Sequence, residues 1–115
     1  MKILLSILML VVVSSIIAFA AHGGFKDSVA PRKSTIAEVL KMNNNSYVSI
    51  QGNIVKRLSD DKYSFKDSSG TITVEIDDDK WGGVTAGTQD KLELIGEVEK
   101  KYNTTELDVD SVRKL

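Results

Sequence analysis

The side chains in this sequence that could do chemistry are mostly carboxylates, and they come in runs. Asp60-Asp61, Glu75 with Asp77-Asp78-Asp79, Glu93 with Glu97 and Glu99, and Glu106 with Asp108 and Asp110 recur along the C-terminal half. Such groups attract cations, basic peptides or a cationic partner loop. On extended chain, period-two spacing puts Glu97 with Glu99, and Asp108 with Asp110, on one face. A solvated surface that keeps a small domain soluble and its edge strands unpaired is the competing reading. Interleaved Lys56, Lys66, Lys91, Lys100 and Lys101 weaken the field in either case. Asp77-Asp78-Asp79 does not open a calcium loop of the EF-hand kind, since the fifth position would be Trp81 and the twelfth Thr88. One of its aspartates is expected to cap a short turn before Lys80-Trp81.

Other chemistries find little material. There is no cysteine, so thiol catalysis, thiolate metal sites and disulfides are excluded. The one histidine, His22, could chelate copper beside a free N-terminal amine, but a terminal residue without a role is the plainer expectation. The usual nucleophile–base pairs are therefore missing. A carboxylate pair for glycoside hydrolysis would need a cleft.

The elements that must position these residues begin after a leader. Met1-Lys2 is followed by an almost wholly apolar run from Ile3 to Ile17, and Ala18-Phe19-Ala20 offers small residues where signal peptidase inspects. This is the layout of a secretory signal peptide over residues 1–20, cleaved after Ala20, with an uncleaved membrane anchor as the alternative. Cleavage leaves 14 basic against 16 acidic side chains, since Lys2 is the one charge removed. A mildly acidic domain argues against a nucleic-acid partner. Residues 21–33, with the single Pro31, read as an extended arm that is ordered only where Phe25 or Val29 docks. Thr35-x-x-Glu38 is a capping box, and Ile36, Val39 and Leu40 give one apolar face, so a short helix is expected over Ser34–Met42. Asn43-Asn44-Asn45 ends it.

Five strands follow. Val48, Ile50, Ile54 and Leu58 share one parity on the first, with Gly52 among them marking a bend or bulge. Tyr63 and Phe65 point inward on the second. A turn at Asp67-Ser68-Ser69-Gly70, with Gly70 at positive φ, leads to Ile72, Val74 and Ile76 on the third. A long polar connection, residues 77–90, carries Trp81 as a plug over one barrel end (a ligand platform being the alternative), and Gly82-Gly83 for a sharp turn. Leu92, Leu94, Gly96 and Val98 face inward on the fourth strand and Leu107 and Val109 on the fifth, with Val112 and Leu115 closing the end. This order predicts an all-β fold, a five-stranded OB-fold barrel over residues 34–115 with a short N-terminal helix before strand 1. An SH3-like barrel fits less well, because the helix precedes the first strand.

These residues also resemble a known family. Gly52-Asn53-Ile54-Val55, Asp60-Asp61-Lys62-Tyr63-Ser64-Phe65, Asp67-x-x-Gly70, Val74-x-Ile76-Asp77, Trp81-x-Gly83-Val84-Thr85 and Leu94-x-Gly96-Glu97-Val98 are similar to the bacterial OB-fold (BOF) family of periplasmic stress-tolerance proteins, the YgiW/YdeI type. Gly23-Gly24-Phe25-x-Asp27, Ala30-Pro31 and Glu106-x-Asp108-Val109 extend the likeness over Gly23–Leu115. The resemblance implies export to the periplasm, tolerance of oxidants, metals, acid or cationic peptides, and binding without catalysis.

The sequence thus leads to a non-enzymatic binding module with no cofactor and no membrane anchor after cleavage. Its expected ligand is a small cation-bearing molecule or an envelope or outer-membrane protein. The residues left free to bind it are Gln51, Asn53, Lys66, Thr73, Glu75, Asp77, Asp78, Asp79 and Trp81. The outward positions of the first three strands carry no aromatic residue and few basic ones, which sets this surface apart from nucleic-acid-binding barrels. A divalent-metal buffer built on the acidic strands is the alternative function.

Overall fold

The computed structural model describes residues 29–115. The expected signal peptide, His22, Phe25 and the first part of the arm lie outside them. Among the described residues no helix is long and apolar enough to cross a membrane. The elements are β1 (Arg32–Lys33), α1 (Ile36–Val39), β2 (Tyr47–Arg57), β3 (Lys62–Asp67), β4 (Gly70–Glu75), a 3₁₀ turn (Asp78–Lys80), β5 (Leu92–Lys101) and β6 (Thr104–Lys114). Strands β2 to β6 close a barrel in the order β2-β3-β4-β6-β5, with β5 returning to β2.

Closure rests on β2 changing partners midway. Residues Tyr47–Gly52 pair antiparallel with β5, and residues Asn53–Arg57 pair with β3. Gly52 sits at the change, where a Cβ would collide with the Lys66 carbonyl and press on the Phe65 ring. The glycine thus answers a close backbone approach. The bulge expected there falls three residues later: Ile54 pairs with Phe65 but Lys56 with Ser64, leaving Val55 extra. A bulge inverts the inside–outside alternation. Leu58, expected inward, therefore emerges 47% exposed. A second shift lies between Ile95 and Gly96 on β5, where Asp110 of β6 is passed over.

The arm is tied down by backbone. Arg32 and Lys33 pair in parallel with Val48 and Ser49, and the Ser34 N–H donates to the Ser49 carbonyl at 2.9 Å. Val29, one of the two residues expected to dock, is 69% exposed. The capping box forms in α1, with the Thr35 N–H on the Glu38 carboxylate at 2.9 Å and the Glu38 N–H on the Thr35 hydroxyl at 3.2 Å. The α-helix is one turn rather than Ser34–Met42. Lys41 and Met42 donate to the carbonyls three residues back, a tighter winding that turns Leu40 outward and sets Met42 against the core. Asn45, at φ 71, reverses the chain, as asparagine tolerates.

The core is the inner face of all five barrel strands plus Ile36 and Val39 of α1, with Phe65, Ile50, Leu92, Leu94 and Leu107 fully buried. Val112 packs against it, while Leu115 is 49% exposed and only its N–H is held, by the Lys91 carbonyl. Gly70 does not take a positive φ; Gly82 (56) and Gly83 (83) do. The turn at 67–70 is held by the Asp67 carboxylate instead. Its Oδ1 accepts from the Ser69 N–H (2.7 Å), the Ser69 hydroxyl (2.6 Å) and the Gly70 N–H (3.1 Å), and its Oδ2 from the Ile36 N–H (3.0 Å). One side chain thus locks the β3–β4 hairpin to the start of α1.

Candidate functional site

The barrel brings its carboxylates into one wall. Cross-strand register sets Lys62, Glu75, Asp108 and Glu97 in a line over β3, β4, β6 and β5, and Ser64, Thr73, Glu106 and Glu99 in the next. Their inward neighbours Val74, Leu107 and Val98 are buried, so these side chains share the outer face. Asp61 and Asp77 complete the wall at one end, where the Ile76 N–H donates to the Asp61 carbonyl at 2.8 Å. Among the described residues two cations form ion pairs with it. Lys62 lies 3.1 Å from Glu106, and Lys101 lies 3.6 Å from Glu106 and 3.8 Å from Glu99.

Glu75 and Asp108 have no ion pair among the described residues. Desolvation raises the pKa of Glu75, and the charges of Asp61, Asp108 and Asp77 raise it further against a smaller pull from Lys62. Desolvation likewise raises Asp108, assisted by Glu99, Asp110, Asp77 and Glu97. Among the described residues two groups could hold a metal ion. Ligand oxygens of Asp61, Glu75 and Asp77 lie within 4.8 Å of one another, as do those of Glu75, Glu99 and Glu106. All the donors are carboxylate oxygens, a set that suits a hard cation such as calcium better than copper, zinc or cadmium.

A groove of about 890 Å³ runs over the outside of β2. Its border includes Lys33, Lys66 and Lys91, the polar side chains of Gln51, Ser68 and Gln89, and the carboxylates of Glu38 and Asp67. Desolvation opposes ionisation of Asp67, but its hydrogen bonds from Ser69, Ile36 and Gly70 outweigh that and hold its pKa below the ordinary value. A smaller cleft of about 390 Å³ is bordered by Tyr63, Trp81, Arg57 and residues 84–88. Trp81 meets Tyr63 edge to face, centroids 5.6 Å apart at 87°, and both pack against the core, which gives Trp81 the covering role expected of it.

The nine residues expected to bind are thereby dispersed. Gln51, Asn53 and Lys66 border the groove, and Trp81 the smaller cleft. Thr73, Glu75 and Asp77 stand on the acidic wall, and Asp78 and Asp79 lie exposed in the 3₁₀ turn. The Asn53 amide is already spent, donating to the carbonyls of Thr88 (3.2 Å) and Asp90 (3.0 Å) and so pinning the loop before β5. Asp77 caps the 3₁₀ turn with its backbone alone, its carbonyl accepting from Lys80 at 2.8 Å. Glu93, counted among the acidic runs, is neutralised: hydrogen bonds from Arg113 lower its pKa against its burial, and Ser49 and Gln51 add to the effect. The expected set lacked Asp61, Asp108, Glu97, Glu99 and Glu106 on the wall, and Lys33 and Lys91 at the groove. The period-two spacing of Glu97 and Glu99 was a usable signal for the wall. No local pattern relates Lys33 to Lys66 and Lys91.

The family model described as "Bacterial OB fold (BOF) protein" matches residues 15–114. Protein YgiW of Escherichia coli (strain K12) is 45% identical over 82 residues, which is 71% of this chain and 63% of that protein, so the match spans just under two thirds of the relative's length. The calcium-regulated OB-fold protein CarO of Pseudomonas aeruginosa is 33% identical over 92 residues, covering 80% of this chain and 79% of the relative. Among solved structures, that of the hypothetical protein ygiW from E. coli superposes with a TM-score of 0.71 at 43% identity, over 82% of this chain and all of that one.

Proposed function

This chain belongs to the bacterial OB-fold family, and from that premise we propose that it is a non-enzymatic binding module whose acidic wall takes up a small cationic ligand. OB-folds engage ligands on the face of their second and third barrel strands, between the loops that join strands one to two and four to five. Here those strands are β3 and β4, and the loops are residues 58–61 and 102–103, with Tyr102 96% exposed at the tip of the second. The observation that carries the reading is the line Glu75–Asp108–Glu97, three carboxylates facing one another across neighbouring strands without an ion pair among the described residues. Like charges set directly opposite cost about 0.2–1 kcal/mol per pair. A bound cation removes that cost and replaces it with attraction, so ligand affinity draws on the repulsion of the empty wall.

The family resemblance supports export to the periplasm, with residues 1–20 as signal peptide, and a part in envelope stress tolerance. The ligand is then a cationic small molecule met at the envelope, or the basic segment of an envelope protein. Titration with pentalysine, followed through the amide resonances of Glu75 and Asp108, tests this. Saturable shifts that weaken about tenfold in Glu75→Gln are expected, a loss of about 1.4 kcal/mol. Resonances that stay still, or a Glu75→Gln chain that binds as well as the parent, would sink the reading.

A second reading, a divalent-metal buffer, is favoured by the two oxygen triads that share Glu75. The Pseudomonas aeruginosa relative is called calcium-regulated, which agrees with a hard cation but speaks of control by calcium rather than of binding. Calcium calorimetry separates the readings. Asp108 lies outside both triads, so Asp108→Asn weakens pentalysine while leaving calcium heat unchanged, whereas Glu75→Gln weakens pentalysine and abolishes the calcium heat. Flat calcium and magnesium titrations remove the metal reading.

A further inference from the structure

We propose that the groove over β2 is a second binding site, for an anion that carries several phosphate groups. Three ammonium groups from distant parts of the chain border it: Lys33 on β1, Lys66 on β3 and Lys91 just before β5. None forms an ion pair with a described residue, whereas Lys62, Lys101, Arg113 and Lys114 all do. The two carboxylates on the same border are already engaged. Glu38 accepts the Thr35 N–H in the capping box, and Asp67 accepts from Ser69, Gly70 and Ile36. Those hydrogen bonds leave both carboxylates charged, so the border carries three cationic side chains against two anionic ones and is slightly positive in a chain whose net charge is −1.

Size and chemistry narrow the ligand. At about 890 Å³ the groove lies within the roughly 300–1,000 Å³ that small-molecule sites occupy. No arginine borders it, so it lacks the planar fork that grips a carboxylate at two points. Separate ammonium point charges, with Ser68 and Gln89 as neutral donors, suit a ligand whose oxygen-rich groups are spaced along a chain. Soluble oligophosphates and phosphorylated lipid headgroups share that chemistry. The site lies away from the acidic wall along the strands the two share: Lys66 is at the end of β3 remote from Lys62, and Lys91 precedes β5 at the end remote from Glu97 and Glu99.

The probe is sodium tripolyphosphate, titrated calorimetrically into the protein at low salt. One saturable site is expected, weakening as salt rises because the contact is between solvent-exposed charges. The combined change Lys33→Gln, Lys66→Gln, Lys91→Gln should weaken it at least tenfold, and Glu75→Gln should leave it in place. Since Glu75→Gln weakens pentalysine binding and the lysine changes do not, failure of one site is told apart from failure of the other. Phosphatidic acid vesicles distinguish the sources: sedimentation with vesicles that tripolyphosphate competes away assigns a lipid headgroup, and tripolyphosphate binding without sedimentation assigns a soluble anion. No heat with tripolyphosphate, equal affinity in the lysine variant, or citrate bound as tightly as tripolyphosphate would each overturn the proposal.

Discussion

The acidic wall and the lysine groove are made by the same device with opposite results. Both are outer faces of barrel strands, and both collect residues far apart in sequence. On the wall, β4, β6 and β5 bring Glu75, Asp108 and Glu97 into one register line, with a cation, Lys62 of β3, only at its Glu75 end. Over β2, around the point where the strand changes partner, Lys33, Lys66 and Lys91 border one groove. In the sequence the two charge types are interleaved and nearly cancel. Strand order sorts them unevenly: carboxylates outnumber lysines on the wall, and lysines outnumber carboxylates at the groove. The near-zero net charge therefore says little about what either wall attracts.

The sharpest way to break the comparison is to block each region at its glycine. A Cβ on Gly52 would strike the Lys66 carbonyl where β2 leaves β5 for β3, and one on Gly96 would strike the Asp108 carbonyl beneath the acidic line. Each collision is with backbone, which cannot rotate aside. Gly52→Ala and Gly96→Ala should each cost about 3 kcal/mol, the upper end for overpacking. Thermal melts should then fall by more than 10 °C at roughly 4–8 °C per kcal/mol. Gly52→Ala should also loosen the groove, and Gly96→Ala the wall. A melt within about 2 °C of the parent for either would show that the strands have slack that the close approach denies them.

A smaller intervention touches the groove alone. Asp67 joins the β3–β4 turn to α1 through N–H donors on both, and its lowered pKa follows from those bonds. Asp67→Ala leaves those donors unpaired and should cost about 1.5–3 kcal/mol. Amide exchange should accelerate at Ile36 and Ser69 and stay unchanged on β6. Equal acceleration on the far wall would mean that the barrel answers as one body rather than as two regions.

Acid separates the two regions by sign. Glu75 and Asp108 on the wall have raised pKa values, so the folded state binds more protons there than the unfolded chain does. Stability then increases as pH falls from neutral towards the ordinary values of 4.5 and 3.8. Asp67 and Glu93 are lowered, and their stabilisation is present above their ordinary values and lost as pH drops through the folded ones. Denaturant midpoints should rise on mild acidification and fall in strong acid. Glu75→Gln should flatten the rise and leave the fall. A midpoint that declines steadily from pH 7 downwards would contradict the wall's repulsion.

How far these regions could be read in advance follows from which contacts are local. Alternation in residues 71–76 and 92–98 declared the inner faces, because each strand carries its own period, and the capping box declared the start of α1. Leu58 and Leu40 went astray for a shared reason: a bulge at Val55 and a tight turn after Val39 each changed the phase of a pattern that is regular in sequence. The wall was half legible. Period-two carboxylates announced a charged face on β5 and β6, while the meeting of Glu75 with Asp108 depends on a parallel pairing between β4 and β6 that no local signal encodes. The groove was hidden for the same reason, since its lysines meet only through the partner change of β2.

The least disruptive test exchanges the lysines themselves. Lys33, Lys66 and Lys91 are exposed and form no ion pair with described residues, so changing all three to Gln removes no contact that the barrel uses. Each should alter stability by no more than about 0.5 kcal/mol. The difference should appear only with ligand present: tripolyphosphate in excess should raise the melting temperature of the parent chain and leave the variant unmoved, since binding to the folded state alone stabilises it by mass action. Pentalysine should protect both chains equally, because the wall is intact in each. If the variant loses stability before any ligand is added, the lysines are supporting the β2 groove by their stems rather than waiting for an anion. The groove would then belong with Asp67 and Gly52 as part of the framework that sets β2 between its two partners.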